Sequence, residues 1–172
     1  MQNTASTNLN VLVLGVGNIL LSDEGAGVKA VNLLQERYDF PPEVHLLDGG
    51  TSGMELLPAL DDRTHLFILD VVQKQDLPPG ETMVLDLSQS PGYFRQKISP
   101  HQLGLSEVLA VAEMTEALPP HITLLGIRPL CLETGLDLSE TVQAGVQELM
   151  QLLLDALQDL GLTPKPRSAY SG

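Results

Sequence analysis

The chain has one cysteine, few basic residues and no apolar run of membrane length. A single thiol, Cys131, excludes an internal disulfide and any zinc cluster built on cysteines. It stands in Pro129-Leu130-Cys131-Leu132, beside an expected strand end, and reads as a buried, inert thiol rather than a nucleophile. No stretch approaches the roughly 20 apolar residues that a membrane span requires. The polar stretch Met1 to Asn10 has neither the basic nor the apolar part of a signal peptide, so a cytoplasmic location is the expectation. Lys and Arg number 9 against 22 Asp and Glu, for a net charge of −13. That imbalance argues against nucleic acid and anionic membranes, where basic side chains must neutralise phosphates. Cationic segments and metal ions remain as partners, or the acidity serves only to keep the protein soluble.

Two familiar catalytic signatures are also missing. Gly15-Val16-Gly17 follows the first apolar run, but Leu20 stands where a dinucleotide-binding turn has its third glycine. Asp48-Gly49-Gly50 sits roughly where a ribose-binding acid would follow, yet without that glycine no organic cofactor is expected. A serine hydrolase would need a Gly-x-Ser-x-Gly elbow, which the chain lacks, and no Cys-His pair is evident.

What is present is an alternation of strands and helices. Residues 10–161 are expected to form one domain, with flexible segments at 1–9 and 162–172. Val11-Leu12-Val13-Leu14 reads as a buried first strand. Helical spacing from Glu24 to Tyr38 follows, with Ser22 or Asp23 as its cap. Further strands are expected at 44–48, 66–72, 82–87 and 122–127. Further helices are expected at 53–60 (capped by Thr51 or Ser52), at 104–118, and from a Ser139 cap to about Leu160. The result is a three-layer α/β/α sandwich around a mostly parallel, twisted five-stranded sheet. The link between the third and fourth strands is too short for a crossover helix, so one strand there should be antiparallel. The irregular stretch from Ser88 to Gln102 is long enough to suggest a functional loop.

Asp70 ends the most apolar strand, where a buried charge must either cap a turn or bind something. Glu24 stands near the first helix start, where it could simply favour the helix dipole. If the first and third strands are neighbours with the second outside, both acids face the topological switch point, where ligands of open α/β sheets bind. His45, His65 and His121 lie in or just before strands and read as structural or surface groups. His101 lies in the irregular loop, in Lys97-Ile98-Ser99-Pro100-His101-Gln102. Two carboxylates and one imidazole make an O, O, N set suited to Ni, Zn, Fe or Mn.

Four ordered segments resemble the hydrogenase maturation proteases. They are Gly15-Val16-Gly17-Asn18-Ile19-Leu20-Leu21-Ser22-Asp23-Glu24-Gly25-Ala26-Gly27, Asp48-Gly49-Gly50-Thr51-Ser52-Gly53-Met54-Glu55-Leu56, Leu69-Asp70 and Lys97-Ile98-Ser99-Pro100-His101-Gln102-Leu103-Gly104. The resemblance implies an endopeptidase that removes the C-terminal extension of the nickel-iron hydrogenase large-subunit precursor once nickel is inserted. It places the metal-contacting residues on Glu24, Asp70 and His101, with Asp70 and Glu24 as the catalytic acids and nickel carried by the substrate. It leaves three mechanisms open: nickel recognition by the triad, a triad-held metal that activates water, or a carboxylate base without metal. Nickel recognition with a carboxylate assisting water is favoured. A non-cleaving, nickel-dependent chaperone for the same precursor would use the same triad, and a small-molecule metallohydrolase on the same fold is a third reading. A monomer is expected, with no nucleic-acid or membrane partner.

Overall fold

The structure, a computed structural model, describes residues 8–89 and 103–170. In chain order the elements are β1 (Val11–Val16), a 3-10 turn (Ser22–Gly25), α1 (Ala26–Arg37), β2 (Tyr38–Asp39) and β3 (Val44–Gly50). A second 3-10 turn (Met54–Leu56) runs into the single helical turn α2 (Leu57–Leu60), and β4 (His65–Val71) and β5 (Thr82–Asp86) follow. Then come α3 (Leu103–Met114), β6 (His121–Ile127), α4 (Glu140–Asp159), β7 (Lys165–Pro166) and a last 3-10 turn (Ser168–Tyr170).

The main sheet has the order β3-β1-β4-β6-β5. β1 runs parallel to both β3 and β4, and β4 parallel to β6. β5 is antiparallel on the edge, with Thr82 opposite Ile127. The loop from β4 to β5 cannot carry the chain back for a parallel strand, so β5 pairs with β6 instead. Strands that alternate faces divide the core in two. Val11, Val13, Phe67, Leu69 and Leu125 pack under α1 and α4 on one side. Leu12, Leu14, Leu66, Ile68 and Leu124 pack under α2 and α3 on the other. β4 is buried from Leu66 to Val71 because both faces are covered. No helix among the described residues is long and apolar enough to cross a membrane.

Some local expectations change. Neither Ser22 nor Asp23 caps α1, whose cap position is Gly25 and carries no side-chain bond. Thr51 and Ser52 likewise do not cap the 54–60 segment, where Gly53 holds the cap position. Ser139 does cap α4, its Oγ accepting from the Val142 amide at 3.3 Å. Cys131 is half-buried and free rather than fully enclosed. The segment expected as a loose tail is tied down over its first residues. Lys165–Pro166 pairs antiparallel with Tyr38–Asp39, and the Arg167 amide donates to the Arg37 carbonyl at 2.8 Å.

His65 and His121 begin neighbouring strands in register, and their rings stack with centroids 4.5 Å apart. Burial, then the charge of His121, holds the His65 imidazole below its ordinary value. The unfolded chain therefore binds this proton more readily than the folded one, so stability rises with pH through the window. The contribution is fully present above the unfolded histidine value of about 6.5 and is lost as pH falls from there through the lower folded value. Asp86 is held below its usual range by hydrogen bonds from Ser88 and titrates below that window. We expect the urea midpoint to be lower at pH 5.5 than at 7.5, and His65→Gln to flatten that dependence. An unchanged slope in the variant would assign the effect elsewhere.

Candidate functional site

The opening strand ends in a turn that only glycine can make. Gly17 has φ +134°, and a Cβ there would lie 1.9 Å from the Glu24 carbonyl oxygen. The chain therefore folds back tightly enough for the backbone of Glu24 to lie on Gly17. Gly27 performs a second close approach. A Cβ on it would stand 2.1 Å from the Leu69 carbonyl oxygen, so α1 starts backbone-to-backbone on the end of β4. Glu24 precedes that contact by three residues, and Asp70 follows Leu69 directly. Both acids are thus delivered to the C-terminal edge of β1 and β4.

This edge is the topological switch point. From β1 the chain moves outward through α1 to β3, then crosses back to β4 on the other side of β1. Asp70 is fully buried, and its Oδ1 accepts from the Val71 amide at 2.7 Å. Glu24 is 5% exposed and lines a cleft of about 60 Å³. The cleft is also lined by Val16 and Gly17, by Gly50 to Ser52 after β3, and by Gly104 and Leu105 of α3. His101, the third residue of the expected set, lies outside the described residues. α3, which begins two residues after it, supplies one wall of the cleft. Among the described residues no group of three His, Cys, Asp or Glu side chains is arranged to hold a metal. The two carboxylates supply hard oxygen donors, suited to share a cation with other ligands rather than to enclose one.

Asp23, read from sequence as a possible cap, has a different task. It is fully buried, and its carboxylate accepts from the amides of Leu130 (2.9 Å), Cys131 (2.8 Å) and Ser139 (2.7 Å) and from Ser139 Oγ (2.9 Å). Ionised acceptors make the stronger hydrogen bonds, and here four donors converge on one carboxylate. Around it, the Ser22 amide donates to the Gly135 carbonyl and the Gly135 amide to the Leu20 carbonyl, both at 2.9 Å. Ser22 Oγ donates to the Glu133 carbonyl at 2.8 Å, and Lys29 Nζ to the Leu136 carbonyl at 2.8 Å. Ser22 itself sits at φ +51°, a conformation these bonds sustain. The loop from 130 to 139 is therefore clamped onto the turn that carries Glu24.

Fold and site together define a doubly wound α/β protein with an acidic pair at its switch point, suited to meet a cation or to activate water. The comparisons make the assignment specific. A family model described as hydrogenase maturation protease matches residues 28–156. The hydrogenase 2 maturation protease of Escherichia coli K12 is 44% identical over 94% of this chain and 98% of its own length. The hydrogenase expression/formation protein HoxM of Cupriavidus necator is 37% identical over 92% of this chain and 79% of its own. The hydrogenase maturating endopeptidase HybD of E. coli superposes with a TM-score of 0.86 at 44% identity, covering 94% of this chain and 99% of that one. The chain belongs to the hydrogenase maturation protease family, and its activity is that of a hydrolase in hydrogenase maturation.

Proposed function

We propose that this protein removes the C-terminal extension of a nickel-iron hydrogenase large-subunit precursor, and does so after nickel has been inserted. The observation that carries the proposal is the delivery of two buried carboxylates, Glu24 and Asp70, to one sheet edge in a member of this family. Carboxylate oxygens are hard donors that a divalent cation accepts beside its other ligands. Nickel already seated in the precursor brings that cation with the substrate, so only a loaded precursor matches the site. His101 would supply the nitrogen donor beside the two oxygens.

Recognition and chemistry then share residues. With the loaded precursor docked, the scissile carbonyl lies over the sheet edge; one carboxylate takes a proton from the attacking water and passes it to the departing amine nitrogen as the C–N bond breaks. Asp70 is the better placed base, because the backbone of β4 and the Val71 amide fix its orientation. Glu24, on its glycine-braced turn, is the better placed group to read the cation. The direct test is the mass of the precursor before and after mixing, with and without nickel. Loss of the tail from the nickel-loaded form alone is expected. Stable binding with the mass unchanged would favour a non-cleaving chaperone.

A further inference from the structure

Four large apolar side chains stand open to solvent on the two clamped loops. They are Ile19 (47% exposed), Leu20 (56%), Leu130 (58%) and Leu136 (65%). A single exposed leucine is ordinary, but a contiguous group on one surface marks a contact site. The bond from the Gly135 amide to the Leu20 carbonyl, and that from the Leu130 amide to the Asp23 carboxylate, hold the two loops side by side. The same bonds hold the backbone of both loops beneath these side chains. Exposed Glu133, Asp137 and Glu140 lie on or beside the second loop and outnumber Lys29, whose ammonium is held on the Leu136 carbonyl. Leu20 lies four residues before Glu24, so the patch borders the turn that carries one acid of the sheet edge.

We propose that this patch docks the folded body of the large-subunit precursor, through an apolar face with a basic rim that lies outside the severed tail. The inference rests on the protease assignment above. The tail must reach Glu24 and Asp70 at the sheet edge, so a surface bordering the Glu24 turn meets what stays attached after the cut. A second copy of this chain is a poor occupant, because a two-fold contact would set Glu133, Asp137 and Glu140 against themselves. An anionic membrane is repelled by the same acids. Contacts to the body are equally present before and during bond cleavage, so they lower KM without raising kcat.

The test is Leu20→Glu/Leu136→Glu against wild type, with nickel-loaded precursor. KM is expected to rise about tenfold or more, equivalent to about 1.4 kcal/mol, with kcat within about twofold. The tailless mature subunit should bind wild type in calorimetry and lose that binding with the variant. An unchanged KM, or a fall in kcat alone, would overturn the proposal. If wild type fails to cut the precursor, the protease assignment fails, while the calorimetry still reads docking. A wild-type dimer that splits in the variant would assign the patch to self-association and overturn docking. Should the melting curve show the glutamates unfolding the protein, Ile19→Ser/Leu130→Ser carries the same expectation.

Discussion

Asp70→Asn should leave a folded protein that no longer cuts. Asparagine keeps the shape of the side chain and keeps an oxygen to accept from the Val71 amide, the 2.7 Å bond that fixes the group. What it loses is the charge, and with it the ability to take a proton or share a cation. A positioned general base contributes about 10²- to 10⁴-fold, so tail release should fall by at least that range. Stability should move by no more than about 1 kcal/mol, because a buried charge is exchanged for an isosteric neutral group. Tail release followed by mass, beside a thermal melt, separates the two effects. Cleavage at the wild-type rate would remove Asp70 from the chemistry. The same substitution in Glu24→Gln asks which acid reads nickel. If Glu24 does, the variant should lose the difference between loaded and empty precursor before it loses all turnover.

Gly17→Ala has the second large effect, and it acts on both fold and site. The new Cβ would lie 1.9 Å from the Glu24 carbonyl oxygen, far inside the 3.0 Å that real Cβ atoms keep. It would also sit at φ +134°, a conformation L-residues rarely adopt. The clash is with backbone, so no side chain can swing away to relieve it. Strain and displacement together should cost about 3 kcal/mol. For a domain of this size that lowers the melting temperature by roughly 6–12 °C. Relief can only come from moving the Glu24 turn away from β1, so activity should fall even well below the melting temperature. A variant that melts early but cuts at full rate when cold would show that the turn braces the fold and not the acid.

The layout of the site was legible because it follows from strand order. β4 stands out as apolar on both faces, Asp70 interrupts that run at its end, and Glu24 lies one helix start away. Once β1 and β4 are neighbours, topology places both acids at the C-terminal edge of the same two strands. The part of Asp23 was not legible. Its donors lie 107 to 116 residues further along the chain, and no local pattern announces a contact of that span. Locally it looked like a helix cap, because an acid before a helical run is the commonest use of that position. β7 was missed for a different reason. It is two residues long and contains a proline, so neither length nor alternation marks it as a strand.

The clamp between residues 20–29 and 130–139 also sets the order of events when the chain is made. A ribosome delivers β1 and the Glu24 turn early, but the partners of Asp23 emerge more than a hundred residues later. Until then the Asp23 carboxylate remains hydrated, Ser22 has nothing to hold it at positive φ, and the turn is free to sample other shapes. Such long-range closure is among the slowest steps of folding. The nascent chain therefore braces its acidic edge only once residues 130–139 have emerged and closed onto the turn.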